Sequence, residues 1–177
     1  MLLATPALCT TVLRFSLDEL IERADVIVHG ECVGVEGRET PDGVVTEVQL
    51  RVTEILKGAP ATTFSFTTYG GMTPKRGTFI AGSPKFEVGE ELVVFLDRPN
   101  RHGYRMAIGM SQGKYTVREE GGRKVAVRNL TGLRLIDPRT GAVEEGSGDE
   151  QGLPLADLLR TVKDAVAAQP PRAGEDR

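Results

Sequence analysis

From Thr46 to Thr53 the chain alternates without a break: Thr46, Val48, Leu50 and Val52 take one side, and Glu47, Gln49, Arg51 and Thr53 the other. A period of two sets one row against a core and leaves the other in water, which is the pattern of a half-buried β-strand. The alternation slips at Glu54-Ile55-Leu56, and this predicts a bulge before Lys57-Gly58. Val26 to Val35 is a second β-branched run, with Gly30 and Gly34 inside it. Interior glycines mark a bend or a close backbone approach, as at the corner of a small barrel. Thr62 to Thr68 is a third, with Phe64 and Phe66 in register, and Thr78 to Ile80 a short one. Leu92 to Leu96 is continuously apolar and predicts a strand covered on both faces. Tyr104–Ile108, Lys114–Arg118 and Lys124–Val127 complete a meander, the last two joined by Gly121-Gly122.

About seven or eight short strands, with turn signals roughly every 8–12 residues, indicate a barrel or a sandwich. The interior glycines and the long second strand favour a closed OB-type β-barrel with additional strands. A helix flanks it at each end. Ser16-Leu17-Asp18-Glu19 has the form of a capping box, and Leu17, Leu20 and Ile21 follow at helical spacing. Leu155, Leu158, Leu159, Val162 and Val166 mark one face of a closing helix that starts at Pro154. With 177 residues, one domain is expected. Its parts are a signal remnant at 1–9, the barrel with its meander at 10–136, an exposed loop at 137–153, the helix at 154–168 and a disordered tail at 169–177.

The compartment is read from the N-terminus. Met1 to Leu8 is apolar apart from Thr5, is broken by Pro6, and leads into Cys9-Thr10-Thr11. This resembles the end of a secretory signal cleaved after Cys9, and it predicts a secreted or periplasmic protein. The other reading is an ordinary frayed terminus. Cys9 and Cys32 are the only thiols. An oxidising compartment permits a bond between them, but Cys32 shares the parity of Val26 and Val28, which is the position of a small buried hydrophobe.

Much chemistry is missing. Net charge is −3 with no basic stripe, which argues against nucleic acid. No apolar run reaches the roughly 20 residues of a membrane span. His29 and His102 are far apart in the chain, and both are expected at the surface. No His, Cys, Asp or Glu grouping has metal-ligand spacing, so no metal and no cofactor are expected. Gly109-Met110-Ser111-Gln112-Gly113 fits G-x-S-x-G, but Lys114 to Val117 alternates as a strand where a nucleophile elbow needs a helix. A hairpin loop without catalytic residues is expected there; a hydrolase using Ser111 and a structural envelope protein are the alternatives to a binding module.

The stretch from Cys9 to Leu96 resembles the netrin-like domain of tissue inhibitors of metalloproteases. The likeness rests on a Cys near the start, a short helix, Ala24 to Gly30, a strand ending Glu54 to Gly58, a strand before a Gly-rich loop at Thr67 to Gly71, and Gly89 to Leu96. The resemblance implies an OB-fold interaction module without catalytic residues, and a metalloprotease as the most specific protein partner. In that family the amine and carbonyl of a mature N-terminal Cys chelate the protease zinc, aided by the loop after the third strand. The matching contact residues here are Cys9, Thr10 and Thr11 with Thr68, Tyr69, Gly70, Gly71 and Met72. The family's Cys-x-Cys start reads Cys9-Thr10-Thr11 in this chain. Ser111 to Tyr115 also resembles a Ser-Gln-Gly-Lys-Tyr/Phe element of uncharacterised exported bacterial proteins, which implies no function.

Overall fold

The computed structural model describes residues 9–58 and 61–170. Its elements are β1 (Thr10–Leu13), α1 (Leu17–Arg23), β2 (Val26–Thr40), β3 (Gly43–Lys57), β4 (Thr63–Tyr69), β5 (Gly71–Met72) and β6 (Gly77–Thr78). They continue as β7 (Glu91–Leu96), β8 (Lys114–Glu120), β9 (Arg123–Val127), β10 (Leu133–Ile136), β11 (Val143–Glu145), β12 (Leu153–Pro154) and α2 (Leu155–Ala167). The chain is therefore mainly β with two helices. The expected signal remnant lies outside the described residues except for Cys9, as does the tail beyond Pro170.

Seven strands form the main sheet in the order β12-β9-β8-β7-β2-β3-β4. Its centre is the long β2–β3 hairpin, closed by Thr40 opposite Gly43. The pairing jumps from Ile27–Lys57 to Val28–Ile55, leaving Leu56 without a partner, so the bulge stands where the alternation slips. A side chain at Gly30 would run into the carbonyl of Arg51 in the neighbouring strand, which is the close approach its position predicted. Gly121 and Gly122 both have positive φ, the geometry that a tight two-residue hairpin demands.

The sheet is covered on both faces, which explains the unbroken apolar run of β7. Leu92, Val94 and Leu96 join Val28, Cys32, Val48, Leu50 and Phe66 in one core. Val93 and Phe95 point the other way, into a second core with Ile27, Tyr115 and both helices. From α1 this second core takes Leu20 and Ile21, and from α2 Leu155, Leu158 and Val162. Each such burial contributes about 1.5–3 kcal/mol. Ser16 caps α1 as a full capping box, and at its other end the Lys57 ammonium donates to the carbonyl of Ile21 at 2.5 Å.

Four features differ from the sequence reading. The described strands form an open sheet, not a closed barrel: β12 and β4 stand at the two edges of the main sheet and do not pair with each other. Residues 104–108, expected as a strand, make only an isolated bridge between Ala107 and Leu96. A 3-10 turn at Met110–Gly113 then interrupts the ladder before β8 begins. Second, β1 pairs parallel with β10, and β11 completes a small separate sheet. Third, β11 and β12 fall at Val143–Glu145 and Leu153–Pro154, in or beside the segment read as a loop, and their residues are exposed. Finally, His29 is buried at 6% exposure. The face opposite Cys32 is not solvent, since Ile27, Val93 and Phe95 share it in the core that takes in both helices, and His29 Nε2 meets Glu91 Oε1 at 2.8 Å.

Candidate functional site

After β4 the chain must reverse and cross the β2–β3 hairpin, and Gly70 and Gly71 do this at φ values of 87° and 137°. The turn is fixed at several points. The Gly70 N–H donates to Val44 O at 3.0 Å, and Thr46 Oγ1 donates to Gly70 O at 2.7 Å. The ribbon of β5 and β6 then lies over the hairpin, and the Val44 N–H donates to Thr78 Oγ1 at 2.8 Å. This anchoring leaves Met72 and Phe79 outside, 79% and 74% exposed.

Between the ribbon and the segment 83–87 lies a cleft of about 630 Å³. Thr46, Thr68 and Gly70 form part of its wall, Phe86 closes the opposite side, and Met72 and Phe79 stand at its mouth. Tyr69 is held edge-on against Tyr104 with ring centroids 5.3 Å apart, and its hydroxyl accepts from Asn100 Nδ2 at 3.1 Å. All five loop residues named from the sequence, Thr68 to Met72, line this cleft.

The other three do not. Thr10 is held by β10, its N–H donating to Gly132 O at 2.9 Å, and its hydroxyl donates to Ala81 O at 2.6 Å. Cys9 and Thr11 flank it, and none of the three lines the cleft. The two halves of the expected contact surface are thus tied to different elements, and Thr10 reaches Ala81, the neighbour of Ile80 in the cleft wall. Cys9 and Cys32 are not bonded to each other, and Cys32 is fully buried. Burial raises the Cys32 thiol above its ordinary pKa, against the opposing hydrogen bond to Gly34 O.

A second cleft of about 640 Å³ adjoins the first and shares Phe79, Ile80 and Lys85 with it. Its wall contains Ser111, Glu90 and Lys114. The Lys114 ammonium is 2.5 Å from Glu90 Oε1 and is engaged in that ion pair. Ser111 Oγ is buried and has no hydrogen-bond partner, so no base is in place to take its proton. Met110, in positive φ, precedes it, and a 3-10 turn follows instead of the helix of a nucleophile elbow.

The rest of the Ser-Gln-Gly-Lys-Tyr element has a structural task that the sequence did not disclose. Gln112 is 1% exposed. Its Oε1 accepts from the Phe15 N–H at 2.9 Å, and its Nε2 donates to Leu13 O at 2.9 Å and Gly109 O at 3.1 Å. It pins the link between β1 and α1 to the interruption in the main sheet. A side chain at Gly113 would collide with the backbone of Ile108, and Tyr115 is buried against Phe95.

Among the described residues no group of three or more His, Cys, Asp or Glu could hold a metal, and no helix is long and apolar enough to cross a membrane. Comparison with protein-family models, curated proteins and solved structures finds no match for this chain.

Proposed function

We propose that this chain is an exported, non-catalytic protein-binding module of OB-type, netrin-like architecture. Its contact surface is the Thr68–Met72 loop with Phe79, and a metalloprotease is the most specific partner. The observation that carries the reading is the exposure of Met72 and Phe79 on a hydrogen-bonded ribbon at the mouth of an apolar-walled cleft. Single exposed apolar side chains are ordinary. Two large ones held on one anchored ribbon beside a cleft are the mark of an interaction surface.

Support for the OB-type reading comes from the order in which segments meet. Arg105, on the segment that bridges β7 at Ala107, donates its N–H to Thr67 O of β4 at 2.9 Å. That hydrogen bond, with the one from the Thr68 hydroxyl to Met106 Sδ at 3.2 Å, links the two ends of the series β7-β2-β3-β4. The non-catalytic reading is supported by the Ser111 hydroxyl, which has no base within hydrogen-bonding distance.

The test is titration of a zinc metalloprotease catalytic domain with the exported protein, after sequencing its N-terminus. A Met72→Asp/Phe79→Asp variant is expected to weaken binding at least about 100-fold, since two central apolar anchors are lost. Binding that ignores both substitutions, or no binding at all by a chain with Cys9 at its N-terminus, contradicts the proposed surface or partner respectively.

A further inference from the structure

The second edge of β2 is only half used. Its first part pairs with β7 from Val26–Leu96 to Glu31–Glu91. The ladder makes its last two bonds at Cys32, whose N–H donates to Glu90 O at 2.8 Å and whose carbonyl accepts from the Gly89 N–H at 2.8 Å. Gly89, with φ of 88°, then turns the chain away. From Gly34 to Thr40 the backbone of β2 pairs, among the described residues, with β3 alone, Val33 being bulged out of the register. An unpaired strand edge of this length is a template for another strand, and the β5 ribbon, whose Met72 carbonyl packs on Gly37, covers one face of the sheet here without pairing with that edge.

The charges along that edge decide which strand. Glu36 lies directly opposite Glu47 in its own hairpin, a like-charge pair that costs stability. Arg38 Nε is 3.5 Å from Glu47 Oε2, and no ion pair reaches Glu36 among the described residues. The sequence around Gly37 is self-complementary. If two copies of the edge pair antiparallel about a two-fold axis at Gly37, Glu36 of each copy falls opposite Arg38 of the other. The acid pair then gains its second cation on both sides of the axis. Protective edge charges normally repel a second copy; these two, of opposite sign and symmetric about a glycine, attract it.

We infer that this chain forms a two-fold symmetric homodimer through the free edge of β2, with Glu36 and Arg38 of each copy paired reciprocally across the axis. The two hairpins become one continuous four-stranded ribbon. The inference does not rest on the cleft at Thr68–Met72, and either can fail without the other. Seven paired residues make a small interface, so the dimer belongs to the micromolar class.

Sedimentation velocity of the full chain over a concentration series tests this, together with a charge-exchange cycle. The wild type is expected to pass from monomer to dimer at micromolar concentration. Glu36→Lys and Arg38→Glu each place like charges across the axis, and each should weaken dimerisation about tenfold. The double variant Glu36→Lys/Arg38→Glu restores the pairing and should return to within about threefold of wild type. Hydrogen exchange on the wild type supplies a reading that no variant can confuse, with protection of the amides of Gly34 to Arg38 rising with concentration. A chain that stays monomeric to its solubility limit overturns the inference. So does dimerisation that is indifferent to the single changes, or a double variant no better than either single one.

Discussion

Lys114 Nζ lies 2.5 Å from Glu90 Oε1, and the two side chains are only 9% and 12% exposed. Lys114 also donates to the carbonyl of Lys85 at 2.5 Å, and the Thr116 hydroxyl donates to the same Glu90 oxygen at 2.6 Å. The pair therefore joins the start of β7 to β8 and to the loop between the two clefts. Lys114→Met strands a buried carboxylate, and it should cost about 3–5 kcal/mol in urea unfolding. The double variant Lys114→Met/Glu90→Leu removes both charges, and most of that loss is expected to return.

Gln112 makes three hydrogen bonds from a site closed to water. Gln112→Leu keeps its volume but leaves the Phe15 N–H and the Leu13 carbonyl without partners. The expected loss is about 2–4 kcal/mol by the same measurement. A loss below half of the lower figure would mean that water replaces the amide, and that the link between β1 and α1 is held by other contacts.

Ser111→Ala should have the opposite sign. An unpartnered buried hydroxyl carries a desolvation cost with no bond to offset it, so its removal is neutral or stabilising by up to about 1 kcal/mol. Hydrolysis of an activated ester by the purified protein should be the same in wild type and variant. A hydrolysis rate that vanishes with this hydroxyl would restore the serine as a nucleophile.

Burial is the largest single influence on the Glu91 carboxyl and raises it, but the hydrogen bonds and charge attraction of Lys124 and His29 together leave it below its ordinary 4.5. A group depressed on folding adds stability above its unfolded pKa and surrenders it as the pH falls through the folded one. Glu91→Gln should therefore be less stable than wild type above pH 4.5. The gap should narrow on acidification below that value. Asp97 is raised by burial against the hydrogen bond from the Met106 N–H, so its contribution runs the other way. The difference between wild type and variant, measured in parallel melts, isolates Glu91.

What could be read from the sequence was whatever depends on neighbours in the chain. The alternation at Thr46–Thr53, the slip at Leu56, the Ser16 cap and the apolar face of α2 all follow from local spacing, and each is present in the fold. The cleft loop was legible through Gly70-Gly71, since two glycines after a strand announce a turn that other residues resist. Pairings between distant segments were not. β1 and β10 are short, and their partnership joins residues over a hundred positions apart, which no local period reveals. His29 was misplaced for the same reason: parity fixes which face it occupies, but not that two helices cover that face. Gln112 looked like loop polarity because its partners, Leu13 and Phe15, lie at the far end of the chain.

The central claim is that the ribbon carrying Met72 and Phe79 contacts another protein, and site-specific photocrosslinking in the native cells tests it most directly. A photoreactive residue placed at Met72 or at Phe79 should give the same discrete adduct, while one at exposed Arg123 on the far hairpin should give none. An absence of adducts at both ribbon positions, or adducts identical to those at Arg123, would contradict the account.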